Sequence, residues 1–156
     1  VLGKHMLAHV ASYEGKVAVD NALGHYHEAE YGAIPNCIFT TPEIATVGMS
    51  EREAKEKGIS YKVSRLPFSA SARAQSMGET SGLIKMICEA RSGRVLGVHI
   101  IGPHATDIIA EATLAIHFEA NAQDIASAIH AHPTLPEALY EAALGQLQGA
   151  IHYGRM

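Results

Sequence analysis

The chain has 156 residues, which suits one domain, or one domain joined to part of another. Its apolar fraction of 47% is ordinary for a packed core, and its formal charge of −4 offers no basic surface for nucleic acid. No apolar run is long enough to span a membrane and no signal peptide is visible, while Val1 stands where an initiator methionine would be. We therefore expect a piece of a longer protein.

The cysteine count limits the kinds of site. Cys37 and Cys88 lie far apart in the sequence and are too few for a disulfide scaffold or a four-cysteine zinc site. Cys88 shares the alternation of a β-prone run and is predicted to point into the core. The ten histidines are scattered, so a histidine-rich metal-binding protein is a hypothesis without a ligand set.

The first predicted element is a helix over residues 6–23, where small and apolar residues recur at three- and four-residue spacing before Gly24. Residues 25–36 are polar and interrupted by glycine and proline, which predicts a linker. Two short β-prone runs follow within residues 37–48, one on each side of a Thr-Pro pair.

The middle of the chain alternates helix and strand signals. Ser50 and Glu53 form a capping box that predicts a short helix to about residue 57, and residues 61–67 alternate as a strand. Residues 68–81 are small and polar, which predicts an irregular segment. The strongest strand pair is 83–89 with 95–101, a hairpin that turns at a glycine.

Three helices are predicted to follow, over residues 105–118, 122–129 and 135–151, the last with Tyr140, Leu144, Leu147 and Ile151 on one face. Strands joined by hairpins, followed by helices, indicate an α+β fold in which helices cover one side of an antiparallel sheet.

The segment before the last predicted helix reads His130-Ala131-His132-Pro133-Thr134-Leu135-Pro136-Glu137. Pro133 disfavours a helical conformation at His132, and Thr134 is predicted to be the N-cap of the helix. On spacing alone, Thr134 and Glu137 make a capping box, and His132 is a loop histidine. The alternative is that the turn brings Glu137 to His132, fixing the tautomer of the ring as a general base requires.

Two motifs resemble the C-terminal domain of the pyridine-nucleotide disulfide oxidoreductases. They are His-Ala-His-Pro-Thr-Leu-x-Glu at residues 130–137 and Phe-Thr-x-Pro-Glu-x-Ala-x-Val-Gly at residues 39–48. The resemblance implies that His132 is the acid/base, that Glu137 orients it, and that the His132–Pro133 peptide is cis. It is greatest for the branch that oxidises dihydrolipoamide with NAD, because Ala138 follows Glu137 and no cysteine pair ends the chain.

The resemblance also implies the cofactors, which would be FAD and NAD in the full-length enzyme. Met6, Leu7, Ala8 and His9 would begin a helix beneath the flavin, with the free N–H groups of that helix facing the ring. The chain has neither a G-x-G-x-x-G fingerprint nor a Cys-x-x-x-x-Cys pair, so we expect an inactive fragment that binds no cofactor alone. Its segments would be the end of the flavin domain (1–24), a linker (25–36) and the dimerisation domain (37–156).

The partners that the resemblance implies are a second copy of the chain and the lipoyl-bearing E2 component of a 2-oxoacid dehydrogenase complex. His132 would then act in the active site of the partner subunit. The resemblance is compatible with two locations of the enzyme, the bacterial cytoplasm and the mitochondrial matrix. Two alternatives within the same fold are another disulfide reductase of the family and a dimerisation or binding module without chemistry.

Overall fold

The computed structural model describes residues 2–154; Val1, Arg155 and Met156, the outermost residues of the predicted first and last segments, lie outside this part. The strands are β1 Asn36–Ile38, β2 Glu43–Gly48, β3 Tyr61–Pro67, β4 Leu83–Glu89 and β5 Val95–Gly102. They form one antiparallel sheet in the order β1-β2-β5-β4-β3. The predicted α+β class is confirmed.

One face of the sheet forms the core because side chains alternate along each strand. Val47, Val98 and Met86 stand side by side across β2, β5 and β4, and all three are buried. Cys88 lies on the same face as predicted, and burial raises the pKa of its thiol to about 12. The thiol therefore stays protonated and unreactive near neutral pH.

The helices are α1 Ala8–Ala22, α2 Glu51–Glu56, α3 Ala72–Met77, α4 Ala105–His117, α5 Ala122–Ser127 and α6 Glu137–Leu147. The core face is covered by α4, which packs on β2 and β5, and by α6, which packs on β3 and β4 and also contacts α5. The predicted cover of one side is confirmed. The short α2 adds a contact on the other face, where Glu51 binds Lys85 and Arg65.

The prediction of an irregular segment at 68–81 is wrong. The chain forms a 3₁₀ turn, Phe68–Ala70, and then α3, whose first turn is capped by the hydroxyl of Ser71. Phe68 is fully buried, and a Cβ on Gly102 would come within 2.3 Å of its ring. A single aromatic residue among small ones gives no periodicity, so the sequence did not reveal this packing.

The last helix is shorter than predicted at both ends. Pro136 is the N-cap and α6 begins at Glu137, so the prediction of Thr134 as N-cap is wrong. The hydroxyl of Thr134 donates instead to the carbonyl of Ala131, which holds the turn before the helix.

The predicted apolar face of α6 is also wrong, because Tyr140 is only half-buried and Ile151 is exposed beyond the end of the helix. The helix lies so close to β3 that a Cβ on Gly145 would be 3.0 Å from the Cβ of Ser64. Small residues permit this approach, and the buried residues of α6 are Ala138, Leu139, Glu141, Ala142 and Ala143.

The predicted linker, residues 25–36, folds back on α1. The hydroxyl of Tyr31 donates to Glu14, and the hydroxyl of Tyr13 accepts the N–H of Glu30. Within the described residues, no helix is long and apolar enough to span a membrane.

The ion pairs of α2 with the sheet predict a pH-dependent contribution to stability. The hydrogen bond from Lys85 lowers the pKa of Glu51 below 4.5 despite partial burial. A carboxylate whose pKa is lower in the folded state stabilises the fold above pH 4.5, and this contribution is lost as pH falls through the lowered value.

We expect Glu51→Gln to reduce the free energy of unfolding by about 0.5–1 kcal/mol at neutral pH, and by much less near about pH 3. Denaturant unfolding at several pH values measures this difference. The matched control is Glu56→Gln in the same helix, because Glu56 has only an exposed contact of 3.9 Å with Arg52. If both variants lose the same free energy of unfolding, or if the loss in Glu51→Gln does not depend on pH, the ion pairs of Glu51 do not stabilise the fold in this way.

Candidate active site

The segment between α5 and α6 brings His132 to the surface. Asn121 caps α5, which ends at Ser127, and Ala128 takes up an extended conformation. The His132–Pro133 peptide is cis, as the resemblance implies; the second cis peptide, Thr41–Pro42, was not predicted. The side chain of His132 is 68% exposed, so its ring can meet a substrate or another chain.

Glu137 uses its two carboxylate oxygens for two different partners. Oε1 lies 2.8 Å from Nδ1 of His132, and Oε2 accepts the backbone N–H of Thr134 at 2.7 Å. The two alternatives weighed from the sequence are therefore both partly right. Glu137 closes the turn at the start of the helix, as in a capping box, and it also contacts His132; this predicted contact is confirmed.

The electrostatics of the pair favour an ionised carboxylate. Partial burial alone would raise the pKa of Glu137, but the N–H of Thr134 and the ring of His132 outweigh it, and the pKa falls below its ordinary value of 4.5. An anionic Glu137 accepts a hydrogen bond from Nδ1–H, which leaves the lone pair of the neutral ring on Nε2. The arrangement can therefore accept a proton at Nε2.

A cavity of about 350 Å³ adjoins the pair, between α6 and the segment 66–75. It contains a second histidine–carboxylate contact, in which Nδ1 of His152 lies 2.8 Å from Oε1 of Glu141. Glu141 is buried, and its other oxygen accepts the backbone N–H groups of Ile151 and His152. This contact holds the chain after α6 in place, and no spacing in the sequence indicated it.

The four residues predicted to lie beneath a flavin are at the start of α1. Met6 and Leu7 precede the helix, Leu7 is its N-cap, and Ala8 and His9 form its first turn. Nε2 of His9 lies 2.9 Å from the carbonyl of Pro35, which joins the helix to the linker. The cavity at His9 shares no lining residue with the cavity at His132, so the two predicted parts of the site line separate cavities.

The histidines do not converge on a metal site. His5 and His9 have the spacing His-x-x-x-His, but they have different partners. His5 precedes α1 and its ring lies 5.5 Å from that of Tyr31, while Nε2 of His9 contacts the carbonyl of Pro35. Across residues 2–154, no group of three or more histidine, cysteine, aspartate or glutamate side chains could hold a metal ion.

Comparison with known proteins identifies the domain. Residues 34–143 match the family model described as the dimerisation domain of pyridine nucleotide-disulphide oxidoreductases. The chain belongs to this family. The match covers the whole sheet and most of α6, including both His132 and Glu137.

Similar curated proteins are dihydrolipoamide dehydrogenases. The protein of Chaetomium thermophilum is 46% identical over 95% of the chain, that of Chlamydia muridarum 45% over 97%, and the mitochondrial protein of Sus scrofa 46% over 98%. The chain spans 29%, 33% and 30% of these proteins respectively, so it corresponds to about a third of their length.

Two solved structures share the fold. LpdA from Mycobacterium tuberculosis matches with a TM-score of 0.85 and 27% identity, covering 91% of this chain and 31% of that one. The HOCl-induced flavoprotein disulfide reductase RclA from Escherichia coli matches with a TM-score of 0.86 over 91% of this chain and 33% of its own. Its identity of 24% supports the fold alone.

Proposed function

We propose that this chain is the C-terminal part of a dihydrolipoamide dehydrogenase, which oxidises dihydrolipoamide to lipoamide while NAD⁺ is reduced to NADH. The observation that carries the proposal is the contact between His132 and Glu137 beside a cavity of about 350 Å³. The identity of 45–46% to named dihydrolipoamide dehydrogenases supports it. Residues 1–24 would be the end of the flavin domain, and residues 37–156 the dimerisation domain.

His132 would act as the general base. Its Nε2 accepts a proton from one thiol of dihydrolipoamide, and the resulting thiolate is the form that attacks a disulfide. Glu137 keeps Nδ1 protonated and stabilises the imidazolium that forms. The proton then leaves from the exposed side of the ring, which returns His132 to the neutral form.

The start of α1 fits one edge of a flavin. No side chain among the described residues caps this helix at Leu7, and no acidic residue lies in its first turn. The N–H groups of Ala8 and His9 therefore stay available to an electron-rich ring edge, where the helix dipole is favourable. FAD, when bound, would supply the two-electron route between dithiol and NAD, and the glycine-rich parts of both cofactor sites would lie outside this chain.

The protein would be a homodimer in which His132 serves the partner subunit. Several large apolar side chains are exposed, as expected for a surface that another chain covers; among them, Leu114 and Phe118 lie in and directly after α4, and Ile129 lies after α5. The separate cavities at His9 and His132 support a site built from two chains. The E2 component of a 2-oxoacid dehydrogenase complex would present the lipoyl group, in the cytoplasm of a bacterium or in a mitochondrial matrix.

The isolated chain is expected to be colourless and inactive, because it supplies one edge of a flavin site and none of the phosphate-binding glycines. An absorption spectrum after purification with added FAD, together with an NAD-reduction assay with dihydrolipoamide, measures both properties. Stoichiometric flavin or measurable turnover would contradict the assignment.

In the full-length enzyme, His132→Gln should slow flavin reduction by dihydrolipoamide about 10²- to 10⁴-fold, because a positioned base is lost. Glu137→Gln should slow it less, because the imidazole remains. Stopped-flow absorbance follows the reaction, and flavin reduction by NADH, which needs no dithiol proton, serves as the internal control. Asp107→Asn, at an exposed His104–Asp107 contact, is the matched amide control. A larger effect of Glu137→Gln than of His132→Gln would reverse the assigned roles.

Catalysis by the partner subunit can be tested with hybrid dimers. One subunit would lack its redox cysteine pair and the other would carry His132→Gln, so that one of the two sites contains both intact halves. We expect purified hybrids to oxidise dihydrolipoamide at about half the rate of the wild-type dimer. Hybrids no more active than either parent variant would show that His132 acts within its own subunit.

A further inference from the structure

The segment that carries His132 contains a second histidine in a different environment. His130 and His132 are separated by one residue in an irregular segment that bends at His132. The side chain of His130 is only 9% exposed, whereas that of His132 is 68% exposed. The same short segment therefore presents one imidazole to the surface and inserts the other into the protein.

The ring of His130 contacts three separate parts of the fold. Nε2 lies 2.9 Å from Oε1 of Glu111 on α4, and Nδ1 lies 3.0 Å from the carbonyl of Ala128 at the end of α5. The centre of the ring is 5.3 Å from that of Tyr140 on α6. One side chain thus joins the segment before His132 to all three helices around it.

Both atoms that face the ring nitrogens of His130 are oxygen atoms that can only accept a hydrogen bond, so the ring can bond to either one only as a donor. A neutral imidazole has one N–H and can donate to only one of the two; the imidazolium has two and can donate to both. A carboxylate is a stronger acceptor than a carbonyl, so Nε2 carries the proton that Glu111 accepts, and the ring of Tyr140 lies beside it. The contact with Glu111 therefore does not depend on the charge of the ring.

We infer that His130 is a positioning residue for the proposed reaction: held by Glu111, Ala128 and Tyr140, it fixes the segment from which His132 reaches the substrate. Glu137 holds the other end of this segment through Thr134. The segment is then fixed on both sides of His132, so the direction of its ring does not depend on Glu137 alone. This inference rests on the proposed function, because it concerns the placement of the proposed base.

His130 is unsuited to be a second base. Both of its nitrogens face acceptors within the same chain, and the buried ring has no free position for a substrate proton. Its effect on the reaction must therefore pass through the position of His132. A displacement of about 1 Å in a catalytic group can slow a reaction about 10²-fold.

Two variants of the full-length enzyme test the inference. His130→Phe keeps an aromatic ring against Tyr140 but removes both ring nitrogens, and should slow flavin reduction by dihydrolipoamide about 10- to 100-fold. His130→Gln keeps an amide donor for Glu111 and should recover at least part of this loss. The concentration of dihydrolipoamide at half-saturation should change less than about twofold in both, because His130 does not contact the substrate.

Flavin reduction by NADH separates positioning from general damage to the structure. It should be unchanged in both variants, whereas a misfolded or dissociated dimer would lose both reactions. If the dithiol reaction keeps its wild-type rate in His130→Phe, or if both reactions fall together, the inference is overturned. A wild-type enzyme that fails to oxidise dihydrolipoamide would instead overturn the proposed function and leave the contacts of His130 in place.

A second measurement does not depend on activity. In the chain labelled with ¹⁵N-histidine, we expect the Nε2–H signal of His130 to exchange slowly with water; the signal is identified by its loss in His130→Gln. Glu111→Gln should make the Nε2–H signal exchange faster, while Asp107→Asn, which changes the exposed contact with His104 on the same helix, should leave it unchanged. An Nε2–H signal that exchanges as fast in the unmodified chain as in Glu111→Gln would contradict the proposed contact with Glu111.

Discussion

The site depends on one carboxylate whose two oxygen atoms have different partners. Glu137 accepts the N–H of Thr134 with one oxygen and contacts Nδ1 of His132 with the other. The backbone hydrogen bond alone would make an ordinary helix start, and the histidine contact alone would leave a mobile pair on the surface. Together they fix the carboxylate, so the orientation of the His132 ring follows from the geometry at the first residue of α6.

The sheet supplies the rigidity that this arrangement requires. The central strand β5 pairs with both β2 and β4, while α4 packs on β2 and β5 and α6 packs on β3 and β4 of the core face. The segment with His132 joins α5 to α6, so both of its ends are held by helices that pack on one core. His132 is therefore exposed to solvent and yet held in a fixed position.

Much of the fold could be predicted from the sequence because its strands alternate regularly and its turns carry glycine or proline. The strands over 61–67 and 83–89 were predicted with the observed bounds. The 3₁₀ turn and α3 were missed because they are too short to show a period. The face of α6 was wrong because the helix packs through alanines, and a pattern of large apolar residues does not indicate such contacts.

In the candidate site, the contact between His132 and Glu137 could be predicted from a sequence motif. The contacts made by the neighbouring residues could not. Glu111 lies 19 residues before His130 and Glu141 lies 11 before His152, and no local spacing predicts either contact. The first contact forms when the segment with His130 packs against α4, and the second when the chain after α6 folds back on that helix. The part of the site that lies within one turn of chain was therefore predictable, and the part formed between elements was not.

The position of α6 along the chain also has a consequence for biosynthesis. The ribosome releases β3 and β4 well before the helix that covers them, so Leu66, Ile84 and Met86 have no cover from α6 while the chain is still growing. The nascent sheet is therefore exposed to aggregation until the last helix emerges. The same helix begins with Glu137. The packing of α6 on the sheet therefore also brings the carboxylate to His132, and a nascent chain that lacks α6 has no histidine–carboxylate pair.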